Sequence, residues 1–145
     1  MLKKIQEEMK NAMKAGEKKR LSTIRMLLAA IKNESIEKKK ELSTEDILGV
    51  IQREIKQRRT AIADFRAGGR EDLVKENEAE IALLENYLPP QLSDAELEAL
   101  VRQAVAETGA TSLREMGKVM GKIMPQVKGK ADGERVQAAV RKILA

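Results

Sequence analysis

Residues 43–90 read STEDILGVIQREIKQRRTAIADFRAGGREDLVKENEAEIALLENYLPP, and their pattern decides the fold. Ser43 offers an N-cap oxygen, and Glu45 and Asp46 put acids in the first turn of a helix. Ile47, Ile51, Ile55, Ile62 and Phe65 then recur at helical spacing until Gly68-Gly69 ends the run. A second helix starts near Arg70, carries Val74, Ile81, Leu84 and Leu88, and is terminated by Pro89-Pro90. The two differ in charge. Residues 53–70 hold six cations against Glu54 and Asp64, and residues 71–87 hold Lys75 against six acids. A two-glycine turn between oppositely charged helices predicts an antiparallel hairpin.

On the N-terminal side, Leu2, Ile5, Met9, Ala12 and Met13 mark one helix that stops near Gly16. Leu21, Ile24, Leu28 and Ile31 mark another over about 18–40. On the C-terminal side, Ser93-Asp94-Ala95-Glu96 has the form of a capping box. Its helix carries Leu97, Leu100, Val101, Ala104 and Val105, and Thr108-Gly109 closes it. Ser112-Leu113-Arg114-Glu115 repeats the pattern before Met116, Val119, Met120, Ile123 and Met124, with Pro125 as the stop. Asp132 caps a last helix with Val136, Ala139, Val140, Ile143 and Leu144 inward. No segment alternates as a strand does. The expectation is an all-α chain divided at Pro89-Pro90: an N-terminal helical domain, 1–90, containing the hairpin, and a small three-helix bundle, 91–145.

Composition narrows the chemistry. A hydrophobic fraction of 42% supports real cores beneath a coat in which 35% of residues are charged. Cysteine and histidine are both absent. That removes disulfides, Cys–His and Ser–His–Asp nucleophile systems, and the usual zinc ligand sets. Neither a catalytic site nor a metal or cofactor site is expected. No run approaches the roughly 18 apolar residues of a membrane span, and the N-terminus alternates charged and apolar residues, unlike a signal peptide. With no cysteine to oxidise, a cytoplasmic location is expected.

Binding is left as the mode of action, and charge suggests where. Residues 112–142 carry eight cations against Glu115, Asp132 and Glu134, whereas residues 93–111 carry one against four acids. The candidate RNA-binding residues are Lys118, Lys122, Lys128, Lys130 and Arg135, around helix ends and glycines that suit phosphate oxygens. The competing explanation is a solvated lysine-rich surface. Lys18-Lys19-Arg20 with Arg25, and Arg53 with Lys56, Arg58 and Arg59, are further basic clusters, some of which should pair with acids of the fourth helix. Gly117 and Gly121 sit inside a helix, where each costs about 1 kcal/mol relative to alanine. The favoured reason is another helix packed close against them, with a partner's backbone as the alternative. Met116, Met120 and Met124 read first as core and second as an adaptable groove for a protein. Phe65 and Tyr87 are the only aromatics, so base stacking on an aromatic platform is closed and a folded RNA is the better ligand.

Leu88-Pro89-Pro90-Gln91-Leu92-Ser93, Met116-Gly117-Lys118-Val119-Met120-Gly121 and Met124-Pro125-Gln126-Val127-Lys128-Gly129-Lys130-Ala131-Asp132-Gly133 together resemble the GatB/YqeY family in order and spacing. The likeness extends to Arg25-Met26-Leu27 and Glu54-Ile55-Lys56-Gln57-Arg58. The chain is similar to the stand-alone YqeY-type members, not to the much longer amidotransferase B subunit. In that subunit the related region is a tail that helps hold tRNA during amidation of mischarged Glu-tRNA or Asp-tRNA, with glutamine as amide donor. The resemblance therefore implies tRNA binding or an accessory role in tRNA-dependent amidation. The amidase and phosphorylation centres lie in other parts of that enzyme, and no residue here replaces them. A protein adaptor using the small bundle or the long hairpin is the other class of function.

Overall fold

The computed structural model describes residues 1–145, and the fold is all-α. Seven α-helices form: α1 (Leu2–Ala15), α2 (Lys18–Lys38), α3 (Thr44–Ala67), α4 (Glu71–Glu85), α5 (Asp94–Thr108), α6 (Met116–Val127) and α7 (Gly133–Leu144). A single 3₁₀ turn, Leu113–Glu115, leads into α6. No helix is long and apolar enough to cross a membrane. The helices gather into two compact units, Met1–Leu88 and Pro89–Ala145.

In the first unit α3 and α4 form the antiparallel hairpin. The opposite charges do meet along it: Arg59 reaches Glu85 at 3.3 Å and Arg66 reaches Glu78 at 3.3 Å. Both pairs are exposed, so each contributes under about 1 kcal/mol and serves register more than stability. Arg58 is different. Only 6% exposed, it donates through Nε to Glu80 Oε2 at 2.9 Å and through Nη1 to the Glu54 carbonyl at 3.1 Å. The apolar stripes of α1, α2 and α3 close the core around Ile5, Ile24, Leu27, Ile51 and Ile55, with Leu84 from α4. Each such side chain contributes about 1.5–3 kcal/mol on burial. The Tyr87 hydroxyl donates to the Glu8 carboxylate, tying the end of the hairpin region back to α1.

Two ends differ in how they match the sequence pattern. The second helix stops at Lys38, because Lys39 takes a left-handed conformation (φ 56°) while Ser35 Oγ donates to the Lys40 carbonyl at 2.6 Å. Ser43, by contrast, makes the full capping box with Asp46, each side chain bound to the other's backbone N–H at 3.1 Å.

In the second unit α5, α6 and α7 pack pairwise around Val101, Val119, Ile123, Val127, Val136 and Val140. Met116, Met120 and Met124 lie half-buried against this core, as the packing role requires. Pro125 does not stop α6; the helix runs on to Val127. A proline in the last turn leaves the carbonyl four residues back without its N–H partner. That carbonyl belongs to Gly121, on the exposed side of the helix, where water can satisfy it.

Candidate nucleic-acid interface

The first turn of α6 sets where its lysines point. Ser112 makes no side-chain cap, contrary to the capping-box pattern. Glu115 instead accepts from the Thr111 backbone N–H at 2.5 Å, one residue earlier, because the entry is a 3₁₀ turn. That N–H, with Lys118 nearby, holds the Glu115 carboxyl below its ordinary pKa. Val119, Ile123 and Val127 face the core, so Gly117, Lys118, Gly121, Lys122 and Gln126 face outward. Nothing lies within 4 Å of a Cβ built on Gly117 or Gly121. The helix expected to pack against these glycines is not there.

After α6 the chain turns through Lys128-Gly129-Lys130. Gly129 has φ +77°, a conformation that costs an L-residue roughly 1–2 kcal/mol and glycine almost nothing. The turn is closed by Lys130 N–H to the Val127 carbonyl at 2.8 Å. It is held from outside as well. Gln91 Nε2 donates to the Gly129 carbonyl at 2.7 Å, and Leu92 N–H donates to the Lys130 carbonyl at 2.9 Å. Asp132 then caps α7 by accepting from Arg135 N–H at 2.8 Å.

The five candidate cations fall into two groups. Lys118 lies 3.9 Å from Glu115 and Lys122 lies 3.2 Å from Glu107. Arg135 is committed further: Nη2 donates to the Leu92 carbonyl at 2.8 Å and to Asp94 Oδ1 at 2.9 Å. It fastens the start of α5 to α7. Lys142, outside the candidate set, likewise meets Glu98 at 2.8 Å. Lys128 and Lys130 have no ion pair, and Lys130 is exposed. The positive excess of the 112–142 segment is therefore thinned by acids from α5, and its unpaired centre is the α6–α7 turn. Lys118 and Lys122 stand one helical turn apart on α6. Their pairs are solvent-exposed and worth roughly 0–1 kcal/mol, so a phosphate can replace either carboxylate at small cost.

Gln91 is the residue the sequence pattern did not single out. It stands in Pro-Pro-Gln-Leu, which reads as a boundary, and no local signal gives its reach across to Gly129.

A small all-helical protein of two units, with a basic turn between its last two helices, is the class these features define. Comparison with known families matches the Yqey-like protein family over residues 2–144. The chain belongs to that family. Among curated relatives, "Altered inheritance of mitochondria protein 41, mitochondrial" of Pyrenophora tritici-repentis is 33% identical over 147 residues, covering 99% of this chain and 81% of that protein. Proteins of the same name from Kluyveromyces lactis and Lachancea thermotolerans are each 36% identical. The Kluyveromyces match covers 82% of this chain and 66% of the relative, the Lachancea match 71% and 57%.

These names overturn the cytoplasmic location expected from composition, since the relatives are named as mitochondrial proteins. The expectation failed for a physical reason. An absence of cysteine argues against an oxidising compartment, but it does not choose among the reducing ones.

Proposed function

We propose that this protein binds folded RNA, with tRNA the first ligand to test, through the α6–α7 turn and the adjoining outer face of α6. One observation carries the reading. Lys128 and Lys130 are the candidate cations without a carboxylate partner, and their turn is held by hydrogen bonds from Gln91 and Leu92. A turn whose backbone is already set has less conformational entropy to lose when its lysines meet phosphates. The scarcity of aromatics favours a ligand held by its backbone and shape over one read by stacked bases. The motif resemblance to the B-subunit tail is what makes tRNA the choice, and an accessory part in tRNA-dependent amidation is the context that resemblance supplies.

The test is equilibrium binding of labelled tRNA by the full chain across a salt series. The wild type should bind with affinity falling steeply as salt rises. Lys128→Glu with Lys130→Glu should raise Kd at least tenfold for all sequences alike. It should also lower the salt slope by roughly 0.7–0.9 for each phosphate no longer neutralised. Equal binding by the double variant would remove the turn from the site.

A protein adaptor is the second reading, favoured by one feature of the first unit. Ile36, 63% exposed, and Leu2, 39% exposed, line an apolar groove of about 710 Å³ with Met9, Leu28 and Leu42. Exposed apolar surface of this kind marks interaction sites. A protein retained stoichiometrically after nuclease treatment, and released by Ile36→Glu, would favour this reading over RNA.

A further inference from the structure

The hairpin arginines leave a contrast behind them. Arg53, Arg58, Arg59, Arg66 and Arg70 are each within 4 Å of a carboxylate. The cations of α2 are not consumed in this way. Residues 18–33 contain five basic side chains and no Asp or Glu. Of the five, only Arg20 is paired, with Glu17 at 3.2 Å. Lys18, Ser22, Arg25, Ala29 and Lys32 are all exposed and follow one another at steps of four, three, four and three residues. That spacing puts them in a single stripe along the helix. At 1.5 Å per residue, Lys18, Arg25 and Lys32 are spaced about 10 Å apart, and the small residues Ser22 and Ala29 lie between them.

We infer that this outer stripe of α2 is a second nucleic-acid contact surface, in which Lys18, Arg25 and Lys32 take backbone phosphates of a folded RNA. The inference rests on the RNA reading above and extends its footprint to the other unit. Beside the stripe, Lys18 and Lys19 share a groove of about 520 Å³ with Lys75 of α4. Two of the acids in that groove are already committed, Asp72 to Arg70 at 3.1 Å and Glu80 to Arg58 at 2.9 Å. The unpaired charge there is then three lysines, Lys18, Lys19 and Lys75, against the one carboxylate of Glu76. An anionic bilayer fits the same stripe poorly. A helix that lies in a membrane surface needs its apolar face free to enter the lipid, and here Ile24, Leu27 and Ile31 are buried in the core.

The experiment uses the full chain carrying Lys18→Glu, Arg25→Glu and Lys32→Glu, with a milder triple change to Gln beside it. Circular dichroism and the thermal midpoint check the fold, since none of the three side chains has a partner to lose. Labelled tRNA is titrated at several salt concentrations, in parallel with the Lys128→Glu, Lys130→Glu variant and with phosphatidylserine vesicles. The inference expects Kd for tRNA to rise at least tenfold, the salt slope to fall by roughly 2–3, and the Kd of the Gln variant to lie in between. A normal Kd and slope for the α2 variant, while the turn variant is weakened, overturns this inference and leaves the proposed function standing. Failure of the wild type to bind tRNA overturns both. Binding to vesicles but not to tRNA, lost in the α2 variant, would assign the stripe to lipid and overturn the inference as well.

Discussion

The Gln91 side-chain amide donates to the Gly129 carbonyl at 2.7 Å, joining residues 38 positions apart and fixing the turn that carries Lys128 and Lys130. Leu92, next in sequence, donates to the Lys130 carbonyl at 2.9 Å, so two consecutive residues grip two consecutive carbonyls. Arg135 in turn grips the Leu92 carbonyl. Organisation of the basic turn thus begins in the segment before α5.

From this relationship it follows that Gln91→Ala should loosen the turn without removing a charge. Kd for tRNA should rise several-fold while the salt slope stays that of the wild type, because the same phosphates are neutralised. Gly129→Ala should act on stability instead, costing about 1–2 kcal/mol through its positive φ. Salt-series binding and thermal unfolding separate the two effects.

The hairpin offers a comparison between ion pairs of different burial. Glu80→Ala leaves the Arg58 guanidinium, 6% exposed, with the Glu54 carbonyl at 3.1 Å and the Glu54 carboxylate at 3.9 Å. A fully buried pair broken in this way costs about 3–5 kcal/mol. The Glu80 carboxylate is partly solvated, which lowers the expected cost to about 2 kcal/mol. Arg59→Ala and Arg66→Ala, at exposed pairs, should each cost less than about 1 kcal/mol. Urea midpoints order the three variants, and an equal shift for all would contradict the burial argument.

Acid sensitivity should be concentrated at helix starts. The Ser43 backbone N–H and then its hydroxyl hold the Asp46 carboxyl down to about 2, from an ordinary 3.8. The Ser93 side chain and backbone lower Glu96 in the same direction. A depressed carboxylate contributes stability that is present above its unfolded pKa and lost as pH falls through the folded one. For Asp46 that window runs from 3.8 down to about 2. Thermal midpoints should be flat between about pH 5 and 8, where no histidine exists to titrate. They should fall below that range, and Asp46→Asn should flatten part of the fall.

Much of the fold was legible because its signals are local. Ile47, Ile51 and Ile55 mark a buried stripe at helical spacing, and Ser43 with Asp46 or Ser93 with Glu96 marks a helix start within four residues. Where local rules failed, a neighbour decided. Ser112 reads as a cap, yet Glu115 binds Thr111; Pro125 reads as a stop, yet Gly121 lies where water can satisfy its carbonyl. The candidate site was harder for a related reason. Counting charge over residues 112–142 sees only that segment's acids, whereas Glu107 and Asp94 come from α5 to meet Lys122 and Arg135. No periodicity encodes a bond between residues 41 apart in the chain, as Arg135 and Asp94 are.

Gly121 provides the sharpest test of whether the outer face of α6 is used. Its φ is not positive and a Cβ there would meet nothing within 4 Å, so alanine fits the isolated protein without strain. Gly121→Ala should therefore stabilise the chain by about 0.4–1 kcal/mol, by restricting the unfolded state and favouring the helix. If a ligand's backbone approaches between Lys118 and Lys122, the same methyl group should obstruct it and raise Kd for tRNA. A variant that is more stable and yet binds more weakly would mean that the glycine is kept for a partner. A gain in stability with unchanged binding would mean that the ligand, if it binds at the turn, does not extend along α6.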